Sequence, residues 1–209
     1  AKHSGRIVFL KDMSNPKVYG KEAYRMTFGT AIEKKILVKY KIIAVGVSDT
    51  DLKNYIERNI HLTKSESITD YAHNYALNIV MEKYKAFHAL TFHSRIKNAF
   101  AFAARHNRLV PNAISTSISG TQTTSEREII LKAFEQADKA VVSNAKCLTE
   151  GVDVPVIDVV YYSDPKNSKI DIVQSAGRAL RKAKHRNKEM GFIVVPIFHK
   201  DRETVEDAI

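Results

Sequence analysis

Cysteine is nearly absent from this sequence of 209 residues, in which Cys147 stands alone. One cysteine cannot form an internal disulfide, and its isolation favours a reducing compartment such as the cytoplasm. A zinc site is disfavoured, because the eight histidines are scattered and have no cysteine partners at ligand spacing. The sequence also lacks a secretory signal and any apolar run near the roughly 20 residues that span a bilayer. We therefore expect a cytoplasmic protein without membrane contact.

Three nucleotide-binding signatures are missing as well. No Gly-x-Gly-x-x-Gly follows a predicted strand, which disfavours a small-molecule enzyme of Rossmann or flavodoxin-like type. There is no Gly-x-x-x-x-Gly-Lys-Ser/Thr phosphate loop, and Gly20-Lys21 is the only Gly–Lys pair. There is also no Asp-Glu-Ala-Asp or Asp-Glu-x-His run that would hold magnesium. If the chain acts on ATP, both elements are expected outside these residues.

Positive charge is in excess, since 33 lysines and arginines against 23 aspartates and glutamates give a net charge of +10. Such a surplus fits a polyanionic partner, because lysine and arginine neutralise phosphates and release counterions. It fits simple solubility equally well. The densest basic cluster runs from Arg178 to Lys188 and is either a phosphate-facing surface or a solvated helix end. Charge alone leaves the partner open.

Short apolar runs alternate with helical stretches along the chain. Runs without an apolar–polar alternation are typical of strands that helices cover on both faces. The expected strands are Ile42–Val47, Ala86–Phe92, Ala113–Ser119, Ala140–Ser143, Asp158–Tyr162 and Phe192–Ile197. The expected helices are Thr69–Tyr84, Arg95–Arg105, Ser125–Gln136 and Ser168–Ala183. This order predicts an α/β fold with a mostly parallel central sheet of about six strands.

Two local features complete this prediction. Ser125 and Glu128 fit a capping box at the start of the third helix. The polar stretch Ser48–Thr69 looks like a connection or a small insertion.

The segment Gln174-Ser175-Ala176-Gly177-Arg178-Ala179-Leu180-Arg181 carries the strongest chemical signal. On a helix, Gln174, Arg178 and Arg181 are at positions i, i+4 and i+7 and therefore share one face. Gly177 lowers helix propensity by about 1 kcal/mol relative to alanine, which suggests close approach by another group. Two guanidiniums beside a small residue can grip a polyphosphate. An ordinary surface helix is the weaker alternative, because four specified positions coincide.

A second signal lies between Ser143 and Pro155, directly after a buried strand. Gly151 permits a tight turn, Asp153 can accept hydrogen bonds from ribose hydroxyls, and Thr149 with nearby backbone N–H groups can meet phosphates. By itself the segment fits a plain loop equally well. Its place one strand before the arginine segment makes the functional interpretation more specific.

Together the two segments resemble motifs V and VI of superfamily 2 helicases. Leu90–Arg95 is similar to motif IV, a strand that ends in a polar loop before a helix. Ser119-Gly120-Thr121, followed by Ser125-Glu126-Arg127, is similar to the family's glycine turn. The four segments occur in the family's order, across residues 86 to 198.

The resemblance implies a RecA-like three-layer sandwich over residues 46–209, the second lobe of a helicase or DNA translocase. Residues 1–45 would be the end of a missing first lobe and the crossover between lobes. Val18–Tyr40 resembles that crossover in restriction-enzyme-type helicases, which suggests a restriction-modification protein. The partners implied are the first lobe of the same polypeptide and nucleic acid, with DNA favoured over RNA. ATP and Mg²⁺ would be bound mainly by the first lobe, so this fragment alone should not hydrolyse ATP.

The resemblance also assigns roles to residues. Arg181 would be the arginine finger and Arg178 a second γ-phosphate contact. On the nucleotide side, Gly151 and Asp153 would lie by the ribose, Glu150 at a hinge, and Gln174 at the lobe interface. The phosphates of the nucleic-acid strand would be gripped by Ser94, Arg95, Gly120, Thr121 and Thr149. The alternative function is a non-catalytic RecA-like module that binds nucleic acid or protein.

Overall fold

A computed structural model describes residues 2–3, 6–7, 16–21, 24, 26–59, 68–145, 154–164, 176–177, 180–183 and 188–200. Their strands are β1 (Lys2–His3), β2 (Arg6–Ile7), β3 (Lys39–Ser48), β4 (His88–His93), β5 (Ile114–Ser119), β6 (Ala140–Ala145), β7 (Val159–Tyr162) and β8 (Met190–His199). Their helices are α1 (Pro16–Tyr19), α2 (Phe28–Glu33), α3 (Asp49–Asn59), α4 (Ala72–Lys83), α5 (Ile96–Leu109) and α6 (Thr124–Gln136). A 3₁₀ turn, Ile68–Tyr71, leads into α4.

Six of these strands form one parallel sheet in the order β3-β8-β7-β4-β6-β5. Each contains most or all of a predicted strand, so the α/β fold and the parallel sheet are confirmed. Strands β4, β6 and β7 are buried along their whole length. Continuous burial explains why their sequences are apolar runs, since both faces of the sheet are covered.

Successive side chains of the central strands face opposite layers of helices. Val141 packs in a core with residues of α3, α4 and α5, whereas its neighbour Val142 packs with residues of α2 and α6. Val159 and Val160 of β7 divide between the two cores in the same way. The fold is therefore the three-layer, RecA-like sandwich that the sequence predicts.

The polar stretch after β3 contains a helix that the sequence analysis missed. Residues 49–59 form α3, and its apolar side chains Leu52 and Ile56 are buried against α4 and the sheet. Their spacing of four residues is helical. Because only two positions of this polar helix are apolar, the helical periodicity of the sequence was too weak to distinguish the helix from a loop.

The capping box of α6 also lies two residues earlier than predicted. Thr123 is the N-cap: its Oγ1 accepts a hydrogen bond from the Glu126 backbone N–H at 3.2 Å. The Glu126 carboxylate accepts one from the Thr123 N–H at 2.7 Å. The assignment of this box to Ser125 and Glu128 is wrong, because Gln122 closes the preceding turn and the helix can begin at once.

The predicted helix Ser168–Ala183 does not continue to its expected end. Ala176 and Gly177 are helical, but Leu180 is in a turn, and Arg181 forms an antiparallel bridge with Leu37. The Val38 N–H donates to the Leu180 carbonyl at 2.8 Å. Pairing with this extended segment replaces the helical hydrogen bonds beyond Leu180. The predicted start of the helix at Ser168 lies outside the described residues.

The segment before β3 packs on the same layer as α6. Phe28 of α2 contacts the core that contains Ala176 and Val160, and its ring lies edge-on to Tyr40. Strand β3 spans the predicted division between residues 45 and 46, and that division stays a prediction. Among the described helices, none is both long and apolar enough to cross a membrane.

Candidate functional site

The β4 loop, Ser94 and Arg95, leaves the sheet at the carboxyl end of β4. His93 is buried, whereas Ser94 and Arg95 are exposed. The Ser94 backbone N–H donates a 2.6 Å hydrogen bond to Oδ2 of Asp164, which follows β7. Arg95 is the N-cap residue of α5, and its own side chain makes no capping hydrogen bond. The first turn of α5 therefore presents partial positive charge at this edge, which suits an anion.

The β5 turn, Ser119 to Gln122, leaves the same edge of the sheet. Gln122 closes it: its Oε1 accepts from the Ser119 N–H at 2.9 Å, and its Nε2 donates to the Ser117 carbonyl at 3.2 Å. The hydroxyls of Ser119 and Thr121 are 2.7 Å apart. Gly120 and Thr121 are exposed, and none of the described residues would lie within 4 Å of a Cβ at Gly120. The turn therefore has a fixed backbone, and no described residue covers its glycine.

The β4 loop and the β5 turn are close neighbours. Strand β6 lies between β4 and β5 and pairs in parallel with both. Two strand spacings separate the loops by about 10 Å. The structure thus brings Ser94, Arg95, Gly120 and Thr121 to one edge. We call these four residues the carboxyl-edge cluster.

A buried polar network underlies this cluster. Thr91 donates to the Ser143 hydroxyl at 3.1 Å, and its own oxygen is 2.9 Å from His93 Nε2. Burial lowers the pKa of His93 to about 4, and the nearby His73 adds to the shift. His93 is therefore neutral at neutral pH. The sequence analysis did not predict this network. Its signal in the sequence is the presence of polar residues within otherwise apolar strands.

His73 connects the network to α4. Its Nδ1 is 3.0 Å from the Tyr161 hydroxyl, and its ring lies edge-on to Phe198. Burial lowers the pKa of His73, and the carboxylate of Asp164 offsets part of that shift. His73 and Asp164 were both missed as site residues. Neither belongs to a local motif that the sequence analysis could detect.

Arg181 lies apart from the carboxyl-edge cluster. Arg181 is exposed, and its backbone bridges Leu37, two residues before the amino end of β3. Strand β3 is an edge strand three places from β4, about 14 Å to the side. Arg181 itself is in a β-bridge, and the helix face predicted for Gln174, Arg178 and Arg181 stays a prediction. Gln174 and Arg178 lie outside the described residues.

Gly177 faces Phe28, but not tightly. A Cβ at Gly177 would lie 4.0 Å from Phe28 Cε1, an ordinary contact distance. Among the described residues, nothing approaches this glycine as closely as its cost to the helix suggested. A close approach, if it occurs, is made by a group outside them.

The remaining residues predicted to contact the nucleotide or the nucleic-acid strand have no described position. Thr149, Glu150, Gly151 and Asp153 lie outside the described residues. The end of their segment is described: Val154 is buried in the core, and Ile157 leads to β7.

Lys188, the last residue of the basic cluster, fits neither of the two roles predicted for that cluster, a phosphate-facing surface or a solvated helix end. Its Nζ donates to the carbonyls of Pro155 and Ile157. Burial lowers the pKa of Lys188 to about 8, although Asp158 opposes the shift. This lysine joins the start of β8 to the end of the motif V segment. It is thus neither a phosphate-facing nor a solvated side chain.

Residues 72–183 match the family described as "Helicase conserved C-terminal domain", and the match covers more than half of the chain. The chain belongs to this family. The helicase C-terminal domain is the second lobe of superfamily 2 helicases, as the order of motifs IV to VI predicted.

Three similar proteins extend this finding. "Putative ATP-dependent helicase IRC3" of Saccharomyces cerevisiae is 32% identical over 77 residues, 36% of this chain and 11% of that protein. The structure "ATP-dependent Type ISP restriction-modification enzyme LlaBIII bound to DNA" is 28% identical, with a TM-score of 0.76 over 94% of this chain and 14% of that chain. A fragment of a "putative HsdR subunit of a type I restriction enzyme from Vibrio vulnificus YJ016" is 15% identical, with a TM-score of 0.65 over 88% of this chain and 41% of that chain.

The HsdR likeness supports the fold alone. The lobe spans only 11% of the yeast helicase and 14% of the restriction enzyme.

Proposed function

We propose that this lobe is the second half of the motor of an ATP-dependent helicase or DNA translocase. The observation that carries the proposal is the carboxyl-edge cluster: exposed polar residues and an exposed glycine on two neighbouring loops of a helicase C-terminal domain, anchored by hydrogen bonds to Asp164 and Gln122. In an open parallel sheet, ligands bind at this edge.

The cluster is suited to the phosphates of a nucleic-acid strand. Ser94 and Thr121 offer hydroxyl donors, Arg95 offers a guanidinium, and Gly120 lets a phosphate approach the backbone. Such contacts recognise the sugar-phosphate backbone and not the bases, so binding is independent of sequence. Thr149 would join the cluster from the end of β6.

The nucleotide would be bound from the other side of the lobe. Arg181 and Arg178 would reach ATP held by the first lobe of the same polypeptide and stabilise negative charge on the transferring phosphoryl group. Asp153 and Gly151 would lie by the ribose, with Gln174 at the lobe interface and Glu150 at the hinge. Mg²⁺ would neutralise phosphate charge and would be held by carboxylates of the first lobe.

Separation of the two surfaces fits a motor. About 14 Å of sheet width lies between β4 and β3, the strand next to Arg181. The two lobes would close on ATP and reopen after hydrolysis. This movement would carry the carboxyl-edge cluster along as part of one rigid body. The 28% identity to LlaBIII, a DNA-bound restriction-modification enzyme, supports DNA over RNA and a restriction-modification role. A cytoplasmic location is part of the same proposal.

The test is ATP hydrolysis by the full polypeptide that contains this lobe, with and without single-stranded or duplex DNA and RNA. We expect turnover that nucleic acid stimulates, with DNA the stronger activator. The 209-residue chain alone should show no turnover, because arginine fingers act on ATP that another lobe binds. Nucleic-acid binding without any hydrolysis by the full polypeptide would instead identify a non-catalytic binding module.

A further inference from the structure

Asp164 contacts the β4 loop, which carries two residues of the carboxyl-edge cluster, although Asp164 lies in a different loop. It follows β7, and its Oδ2 accepts the 2.6 Å hydrogen bond from the Ser94 backbone N–H. Beside it, the Ser163 N–H donates to the Phe92 carbonyl at 3.0 Å, which extends the pairing of β7 with β4. The loop that carries Ser94 and Arg95 is thus anchored to the exit of β7.

The carboxylate is not itself suited to bind a phosphate. It is half-buried and carries a negative charge, and its field partly offsets the lowered pKa values of His73 and His93. A phosphate at the carboxyl-edge cluster would be repelled by it. The useful property of Asp164 is the strong hydrogen bond that a charged acceptor makes to a backbone donor.

We infer that Asp164 is a positioning residue that seats the β4 loop for binding to a nucleic-acid strand. The inference rests on the proposed function. It assigns no chemistry to Asp164, which acts through Ser94 and Arg95. The conformation of the carboxyl-edge cluster therefore depends on a carboxylate outside the helicase motifs named above.

The opposite end of the same strands provides a matched control. Asp158, just before β7, accepts hydrogen bonds from the backbone N–H groups of Phe87 at 2.9 Å and His88 at 3.0 Å. Asp158→Ala removes carboxylate-to-backbone bonds between the same two strands, but at their amino ends. A purely structural role would make both alanine variants behave alike.

The experiment measures nucleic-acid-stimulated ATP hydrolysis by the full polypeptide as a function of single-stranded DNA concentration. It compares the native protein with Asp164→Ala, Asp164→Asn and Asp158→Ala. For Asp164→Ala we expect the half-activating DNA concentration to rise about tenfold, the equivalent of about 1.4 kcal/mol. Turnover at saturating DNA should change little. Asp164→Asn keeps an acceptor oxygen and removes the repelling charge, so its half-activating concentration should stay close to the native value. Asp158→Ala should leave it unchanged.

Several results would overturn the inference. A half-activating concentration for Asp164→Ala equal to or below the native value would mean that Asp164 acts only as a repelling charge or not at all. An equal rise in the Asp158→Ala protein would reduce the effect to general stability. If Asp164→Ala does not fold, Asp164→Glu decides: its longer side chain displaces the acceptor without losing charge, and an unchanged DNA dependence contradicts the inference. If the native protein shows no DNA-stimulated hydrolysis, it is the proposed function that fails.

Discussion

Asp158 and Asp164 flank strand β7 and hold the backbone of β4 at its two ends. Asp158 accepts the N–H groups of Phe87 and His88 where β4 begins, and Asp164 accepts the N–H of Ser94 where it ends. These contacts span about 70 residues of sequence. They hold two separated segments of the lobe in one fixed register.

Arg181 is the residue whose loss should stop hydrolysis. In the full polypeptide we expect Arg181→Ala to reduce ATP turnover by about 10³-fold or more, because an arginine finger contributes that factor in phosphoryl transfer. Affinity for DNA, measured by fluorescence anisotropy, should change little, since Arg181 lies away from the carboxyl-edge cluster. Arg181→Lys should also be inactive, because an ammonium lacks the guanidinium fork. An Arg181→Ala protein with native turnover would remove Arg181 from this role.

Gly177 offers a test of what approaches the arginine segment. Gly177→Ala should leave the lobe as stable as before or stabilise it by about 1 kcal/mol, because alanine favours a helix and Phe28 is 4.0 Å from the new Cβ. The free energy of unfolding in urea measures this. A drop in ATP turnover without loss of stability would place the first lobe or the nucleotide against this glycine. A strongly destabilised variant would show instead that the lobe itself needs the glycine.

Acid should weaken the fold through its buried histidines. Burial lowers the pKa of both His93 and His106 to about 4, whereas an unfolded histidine has a pKa of about 6.5. Between these values the unfolded chain binds protons that the folded chain excludes, so stability falls as the pH drops below about 6.5. From pH 7 to pH 5, we expect each histidine to lower the free energy of unfolding by about 2 kcal/mol. Urea unfolding at both pH values measures the loss.

The matched variant for the pH effect is His106→Gln. The His106 ring nitrogens lie 3.0 Å from Asn78 Oδ1 and 2.6 Å from the Ser115 hydroxyl, so the variant should be less stable than the native protein at pH 7. The loss between pH 7 and pH 5 should nevertheless shrink by about 2 kcal/mol, because one titrating group is gone. Equal losses in both proteins would mean that His106 does not titrate as its burial requires.

The capping box of α6 can be tested by a pair of neighbouring substitutions. Thr123→Ala should lower the free energy of unfolding by about 1 kcal/mol, because it removes the side chain that accepts the Glu126 N–H. Ser125→Ala should have almost no effect, since Ser125 is an exposed residue within the first turn. Thermal unfolding of both variants would measure the difference. A larger loss for Ser125→Ala would restore the cap predicted from the sequence.

The sequence predicted the sheet well because the signals for its strands are local. Apolar runs such as Ala140–Ser143 mark strands that helices cover on both faces, and β6 indeed lies inside the sheet. Motifs IV to VI gave the family from short segments. The roles of Arg178, Asp153 and the other motif residues stay predictions, since local patterns name candidates but do not place them against ATP or DNA.

The errors fall where local signals compete. Thr123 and Ser125 are both good N-caps, and only the turn closed by Gln122 decided between them. The arginine segment favours a helix throughout, but the extended residues Leu37 and Val38 pair with its end. Local helix and strand propensities give no information about a pairing between residues so far apart in the sequence.

By itself, the sequence determined the class of the fold, the order of strands and helices along the chain, and the family. Only the tertiary structure decided which distant residues meet: Asp164 with Ser94, Lys188 with Pro155, and Arg181 with Leu37. The physical reason is that strand order differs from chain order, β3-β8-β7-β4-β6-β5. Hydrogen bonds between loops depend on which strands become neighbours, and that follows from packing the whole sheet between its two layers of helices.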